Sequence, residues 1–264
     1  MDYERFHRGG LSKPRAGEIV SRFTLVAALV AAACLGGTAR VDGQGRAAAA
    51  PAPVKTPREA APIDLTGYWV SFVTEDWRFR MITPPKGDYT RLPLTPEARK
   101  VGDAWDPAAD EAAGNQCKAY GAAALMRVPG RFHITWQDDN TIRIDADTGM
   151  QTRVLRFAAS SPPREPTWQG HSAARWDTAT RSLTVVTTNM RAGYLRRNGV
   201  PYSENATLTE HFDVAPHPDG GRLLIVTTIV DDPRYLQRSF VVSSHFKMER
   251  DGAKWNPTPC TARW

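Results

Sequence analysis

From Arg131 to Met248 the chain is a succession of short β-branched and aromatic runs divided by turn residues, and no other feature restricts the fold as tightly. Phe132–Trp136, Thr141–Asp145 and Gln151–Phe157 are joined by Asp138-Asp139-Asn140 and Asp147-Thr148-Gly149. After a Pro-rich connection at 162–166 come His171–Asp177 and Ser182–Thr188, then Ala206–Val214, Arg222–Val230 and Arg238–Met248. Such runs predict strands, and the short turns predict antiparallel neighbours. No alternation of strand and helix marks a doubly wound sheet. With a first strand in Ile63–Val73, the pattern implies a mainly β fold. Closing the sheet into an antiparallel up-and-down barrel of about 8–10 strands removes its edges.

Helix signals are few. Thr95-Pro96-Glu97 and Asp106-Pro107 each pair an N-cap residue with Pro at the first helical position, so one or two short helices are expected before Gly114. Residues 76–94 and 115–130 read as irregular, with Pro84, Pro85, Gly87, Pro93, Gly121, Pro129 and Gly130. Residues 189–205 read as one long loop.

The N-terminal part differs in kind. Phe23–Leu35 is a short apolar run behind Lys13, Arg15 and Arg22, and small residues follow to Ala39. That is a secretory signal pattern, so residues 1–39 are expected to be removed and the protein exported to the periplasm or beyond. Ala31-Ala32-Ala33-Cys34 is a degenerate lipobox, which makes a lipid anchor at Cys34 the competing outcome. Residues 40–62 are Ala- and Pro-rich and read as a disordered linker, leaving 63–264 as the folded domain.

The net charge is +6, and residues 46–264 hold 28 basic against 24 acidic side chains. No basic block stands out in the body, which argues against a nucleic-acid partner. Beyond Cys34 only Cys117 and Cys260 remain, and two thiols in an exported chain are expected to pair. A monomer is expected.

Gly67-Tyr68-Trp69 on the first strand resembles the G-x-W signature of lipocalins and other calycin barrels. Asp64–Trp69, Pro93–Ala98, Ala104–Pro107, Gly170-His171-Ser172 through Thr188, and Tyr202-Ser203-Glu204 before Leu208–Glu210 also resemble a group of uncharacterised exported bacterial proteins. The resemblance implies a lipocalin-like barrel in the cell envelope. It brings no activity and no cofactor with it.

Chemistry concentrates around residues 170–189. Gly170-His171-Ser172-Ala173-Ala174 has the outline of a nucleophile elbow, but a meander lacks the strand–turn–helix context that such a serine needs. No H-x-H or H-E-x-x-H spacing marks a metal site. Strand alternation sets His171, Ala173 and Arg175 on one face, and Ser172, Ala174 and Trp176 on the other. The expected function is binding of a small, largely apolar ligand, bearing a carboxylate or carbonyl, in the barrel lumen. Its contacts are expected from Arg153, Arg175, Trp176, Asn189, Ser203 and Glu204. The alternative is a cofactor-independent isomerase, cyclase or dehydratase. It would use His171 and Glu210 as acid and base, with Tyr202 or Arg175 on a developing oxyanion. Against that role, Glu210 fits equally well a buried ion pair with Arg175 or Arg153. Tyr194, Arg196 and Arg197 belong to the 189–205 segment, expected at the barrel mouth. A third reading is an envelope scaffold anchored at Cys34.

Overall fold

The computed structural model describes residues 54–263. The signal segment and Cys34 lie outside the described residues. In chain order the strands are β1 (Gly67–Ser71), β2 (Arg131–Asp138), β3 (Thr141–Ala146), β4 (Thr148–Gly149), β5 (Thr152–Arg156), β6 (His171–Asp177) and β7 (Ser182–Thr188). They continue as β8 (Gly193–Arg196), β9 (Val200–Tyr202), β10 (Thr207–Pro216), β11 (Arg222–Asp231), β12 (Phe240–Glu249) and β13 (Thr258–Pro259). Nine of them close a barrel in the order β1-β12-β11-β10-β7-β6-β5-β3-β2, returning to β1. The mainly β barrel read from the sequence is therefore the fold.

Alternation builds the wall. On β10, Leu208, Glu210 and Phe212 are buried between the outward Thr209, His211 and Asp213. On β11, Leu224, Val226, Thr228 and Val230 take the inward places. The packed interior is one cluster that includes Trp69, Phe132, Ile134, Ile142, Leu155, Leu183, Val185, Phe212 and Phe246.

One seam departs from the antiparallel expectation. β5 and β6 run parallel, bonded only through Leu155↔Ser172 and Arg156↔Ala173. The Pro-rich connection accounts for this, because it carries the chain back along the outside before β6 enters in the direction of β5. Gly170 makes the re-entry with φ +61°, and a Cβ there would stand 2.5 Å from the Thr188 carbonyl oxygen. Only glycine fits such a turn without strain.

Four short helices form where one or two were expected: α1 (Trp77–Met81), α2 (Pro96–Asp103), α3 (Pro107–Ala112) and α4 (Ala122–Leu125). The two with clear capping signals were legible. Thr95 Oγ1 accepts from the Ala98 amide at 3.2 Å, and Asp106 Oδ1 from the Ala108 amide at 2.9 Å. α1 and α4 lack a side-chain cap and sit in the segments read as irregular. The 189–205 segment is not a loop either: β8 and β9 form a hairpin outside the barrel.

Both barrel ends are closed. At the end where β1 starts, the lower end, residues 56–66 cover the opening. The Trp176 indole donates to the Pro57 carbonyl at 2.7 Å, the Arg58 amide to the Asp139 carbonyl at 3.1 Å, and Arg181 to the Pro62 carbonyl at 3.0 Å. Part of the segment expected as disordered linker is thus bonded into the fold. At the upper end α4 is the plug. Leu125 and Met126 join the lumen cluster, whereas Ala122 and Ala123 join a second cluster with Leu94, Leu195, Val200, Tyr202 and Phe240.

Cys117 and Cys260 form a disulfide with Cα atoms 5.1 Å apart across 143 residues. It ties the C-terminal segment, where β13 pairs with β4, to the turn preceding α4. Closing so long a loop stabilises the fold by about 4–5 kcal/mol in the chain-entropy model. Cys117→Ser is expected to lower the melting temperature by roughly 10 °C. Neither thiol should react with an alkylating reagent in the unreduced, denatured protein, and labelling of both would show that the bond is absent.

Candidate functional site

The inward face decides what Glu210 does. Its carboxylate is fully buried and receives both terminal nitrogens of the equally buried Arg153, Nη1 to Oε1 at 3.1 Å and Nη2 to Oε2 at 2.6 Å. Arg153 Nη2 also donates to Thr187 Oγ1 at 3.3 Å, and Thr187 shares a 2.8 Å hydrogen bond with Ser172 Oγ. This polar layer sits above the apolar lumen. Arg153 Nε, Thr228 Oγ1 and Ser244 Oγ have no partner in it.

His171 does not meet Glu210. It projects outward from β6, where its Nε2 lies 3.0 Å from the Ser160 carbonyl and 3.3 Å from Ser160 Oγ. The two expected acid–base partners are on opposite sides of the wall, because His171 and the lumen-facing Ser172 are consecutive on one strand. Ser172, with 1 % of its surface exposed, is bonded into the lumen and not presented as a nucleophile.

The remaining candidates are dispersed as well. Arg175 is exposed on the outer wall, and Trp176 is spent on the lower closure. Asn189, at φ 56°, donates from Nδ2 to the Pro163 carbonyl at 2.8 Å. Tyr202 is buried in the second cluster, where loss of solvent pushes its phenol well above the usual tyrosine range, and its hydroxyl has no partner. Ser203 is bound through its amide and hydroxyl to Asp232 at 2.6 and 2.8 Å, and Glu204 is exposed. Among the described residues no three His, Cys, Asp or Glu side chains converge as metal ligands.

What the fold does assemble is a set of arginines near the upper end. Arg80, Arg127 and Arg196 are 1 %, 5 % and 3 % exposed. Arg80 Nε donates to the Arg127 carbonyl at 3.0 Å, and its Nη1 pairs with Glu75. Arg127 Nη2 pairs with Asp76 at 2.5 Å. Arg196 lies 4.0 Å above the Phe79 ring and donates from Nη1 to the Thr90 carbonyl at 2.9 Å, with no carboxylate among the described residues in salt-bridge contact. Burial, reinforced by the neighbouring Arg127 charge, pushes both Arg80 and Arg196 down to about 10, so both stay protonated at neutral pH. Arg197 donates to the Arg80 carbonyl beside them. Of these, Arg196 and Arg197 were visible as mouth residues. Arg80 and Arg127 were not, because a lone arginine in an irregular segment carries no local signal.

Arg196 also borders an open groove of about 260 Å³. Its other walls are Glu75, Asp76, Arg91 and the start of β12, Phe240 to Ser243. A larger recess of about 590 Å³ runs along the outer wall near Gly130 and Thr148. There two of the polar side chains, Asp147 and Ser71, are already engaged. Asp147 Oδ1 accepts from the Arg131 and Thr148 amides at 2.7 and 2.6 Å, and Ser71 Oγ accepts from the Gly130 amide at 3.1 Å. The arginine-bordered groove is therefore the better candidate site.

Comparison with protein-family models, with curated proteins and with solved structures finds no match for the chain.

The Arg153–Glu210 pair yields a stability prediction. Glu210→Gln leaves a buried guanidinium uncompensated and is expected to cost about 3–5 kcal/mol in chemical denaturation. The double variant Arg153→Met with Glu210→Leu should recover most of that loss, as apolar replacement of a whole buried pair does. A double variant no more stable than Glu210→Gln would contradict this account.

Proposed function

We propose that this is an exported, lipocalin-like barrel protein that binds a small, largely apolar acid in the groove at its upper rim. The observation that carries the reading is Arg196: a buried guanidinium, without a carboxylate partner among the described residues, opening onto a groove whose wall includes Phe240, Val241 and Val242. A guanidinium takes a carboxylate through two charge-assisted hydrogen bonds, and apolar walls supply area for the rest of the molecule. Arg91 adds a second positive group on the rim. The two carboxylates of the groove, Glu75 and Asp76, are neutralised by Arg80 and Arg127.

The packed lumen favours the rim over the interior. Trp69, Phe132, Phe212, Phe246 and the Arg153–Glu210 pair fill the barrel, and α4 covers its upper end. The calycin affiliation is supported by a closed barrel with few helices and by Trp69 at the centre of its first strand. The nine strands exceed the eight of lipocalins proper. Export is supported by the N-terminal pattern, and the disulfide is compatible with an oxidising compartment.

The test is calorimetric titration with 3-phenylpropionate and with its neutral amide. The acid should bind at least about 10-fold more tightly than the amide, the difference expected for charge-assisted contacts. Val241→Glu should abolish acid binding while the protein stays folded, since Val241 is 56 % exposed on the groove wall. Equal affinities for acid and amide, or acid binding indifferent to Val241→Glu, would overturn the reading.

A further inference from the structure

A small cavity of about 20 Å³, which shares Arg196 with the groove, is lined by Phe79, Arg80, Arg127, Leu195, Arg196 and Arg197, among others. That volume is room for one water-sized particle. Three of the arginines each keep one buried nitrogen without a partner: Arg80 Nη2, Arg127 Nη1 and Arg196 Nε. Unpartnered buried donors are costly, and three on charged side chains around one cavity call for an acceptor.

Charge leads to the same conclusion. Arg80, Arg127 and Arg196 bring three positive charges, and the carboxylates in contact with them are Glu75 and Asp76. Asp88 acts on Arg196 only at longer range and is itself paired with Arg78. Among the described residues, one of the three buried positive charges has no carboxylate in contact, and an uncompensated buried ion is strongly disfavoured.

We propose that this cavity is a binding site for a single halide-sized monovalent anion, chloride under physiological conditions, held by Arg80 Nη2, Arg127 Nη1 and Arg196 Nε. One such ion accepts from three donors at once and cancels the leftover charge. A water molecule accepts from two, cancels no charge, and brings two protons of its own into a wall of donors. The role is structural. The anion lets three guanidiniums pack between α1, α4 and the β8–β9 hairpin. It also holds Arg196 in place from behind while leaving its groove-facing side open. The two readings fail separately: bromine density reports on the cavity whatever the acid titration gives, and the titration reports on the groove whatever the cavity holds.

The experiment uses the full disulfide-bonded protein, crystallised with sodium bromide as the only halide. An anomalous peak for bromine is expected in the cavity, within hydrogen-bonding reach of all three nitrogens. In solution, thermal unfolding is compared in sodium bromide, sodium chloride and sodium gluconate at matched ionic strength, gluconate being too large to enter. Halide should raise the melting temperature by roughly 3–6 °C for each tenfold increase above its dissociation constant. Arg127→Met, if folded, should lose that halide dependence. A cavity holding water or nothing in the bromide crystals would overturn the proposal, and so would equal melting temperatures in bromide and gluconate.

Discussion

The structure depends on β1. Five residues long, it is hydrogen-bonded on both edges, to β12 through Tyr68↔Glu249 and its neighbours and to β2 through Tyr68↔His133. Without it the other barrel strands would form an open sheet with two free edges, an arrangement prone to association. Trp69 at its centre is wholly buried, donates from its indole to the Leu65 carbonyl at 2.9 Å, and lies beneath Arg222. Phe132 and Phe246, from the two strands that flank β1, meet edge to face at 5.1 Å. One short strand thus closes the hydrogen-bond ring and centres the core.

Closure has a cost that the fold meets with polar groups. An upper lumen filled entirely with aliphatic side chains would merge with the second cluster beyond α4. Instead Arg153, Glu210, Thr187 and Ser172 form a layer whose hydrogen bonds join β5, β6, β7 and β10. The parallel β5–β6 seam has just two residue pairs, and this layer bridges it from inside. A buried ion pair adds little net stability against an apolar substitute, but it penalises every register that separates its members.

With the lumen packed and closed at both ends, the polar chemistry moves to the segments around the upper end. Glu75 and Asp76 stand between β1 and α1, Arg127 follows α4, and Arg196 ends β8. They come together only because α4 plugs the barrel and the β8–β9 hairpin folds over it. The arginines are buried against Phe79 and Phe240 rather than left in solvent, which makes their unmatched charge and unpartnered donors consequential.

Local signals carried much of the architecture. The β-branched runs, the Asp and Asn turns, the Thr95 and Asp106 caps and the two late cysteines act over a few residues or through simple pairing logic, and each has its counterpart in the fold. The even spacing of inward residues was equally legible: His171 shares a face with Arg175, and Ser172 with Ala174 and Trp176. Which of those faces turned inward was not, because a strand with Ser172 and Ala174 on one side and His171 and Arg175 on the other has no dominant apolar face. Pairing with β7 decided it, setting Ser172 against Thr187 and sending His171 outside. The direction of β6, the α4 plug and the convergence of Arg80, Arg127 and Arg196 depend on contacts between residues tens of positions apart. The sequence by itself determined a closed β fold with one disulfide, because those properties follow from periodicity and composition. The tertiary structure alone decided where its charge is buried, because burial belongs to the assembled packing and not to any one segment.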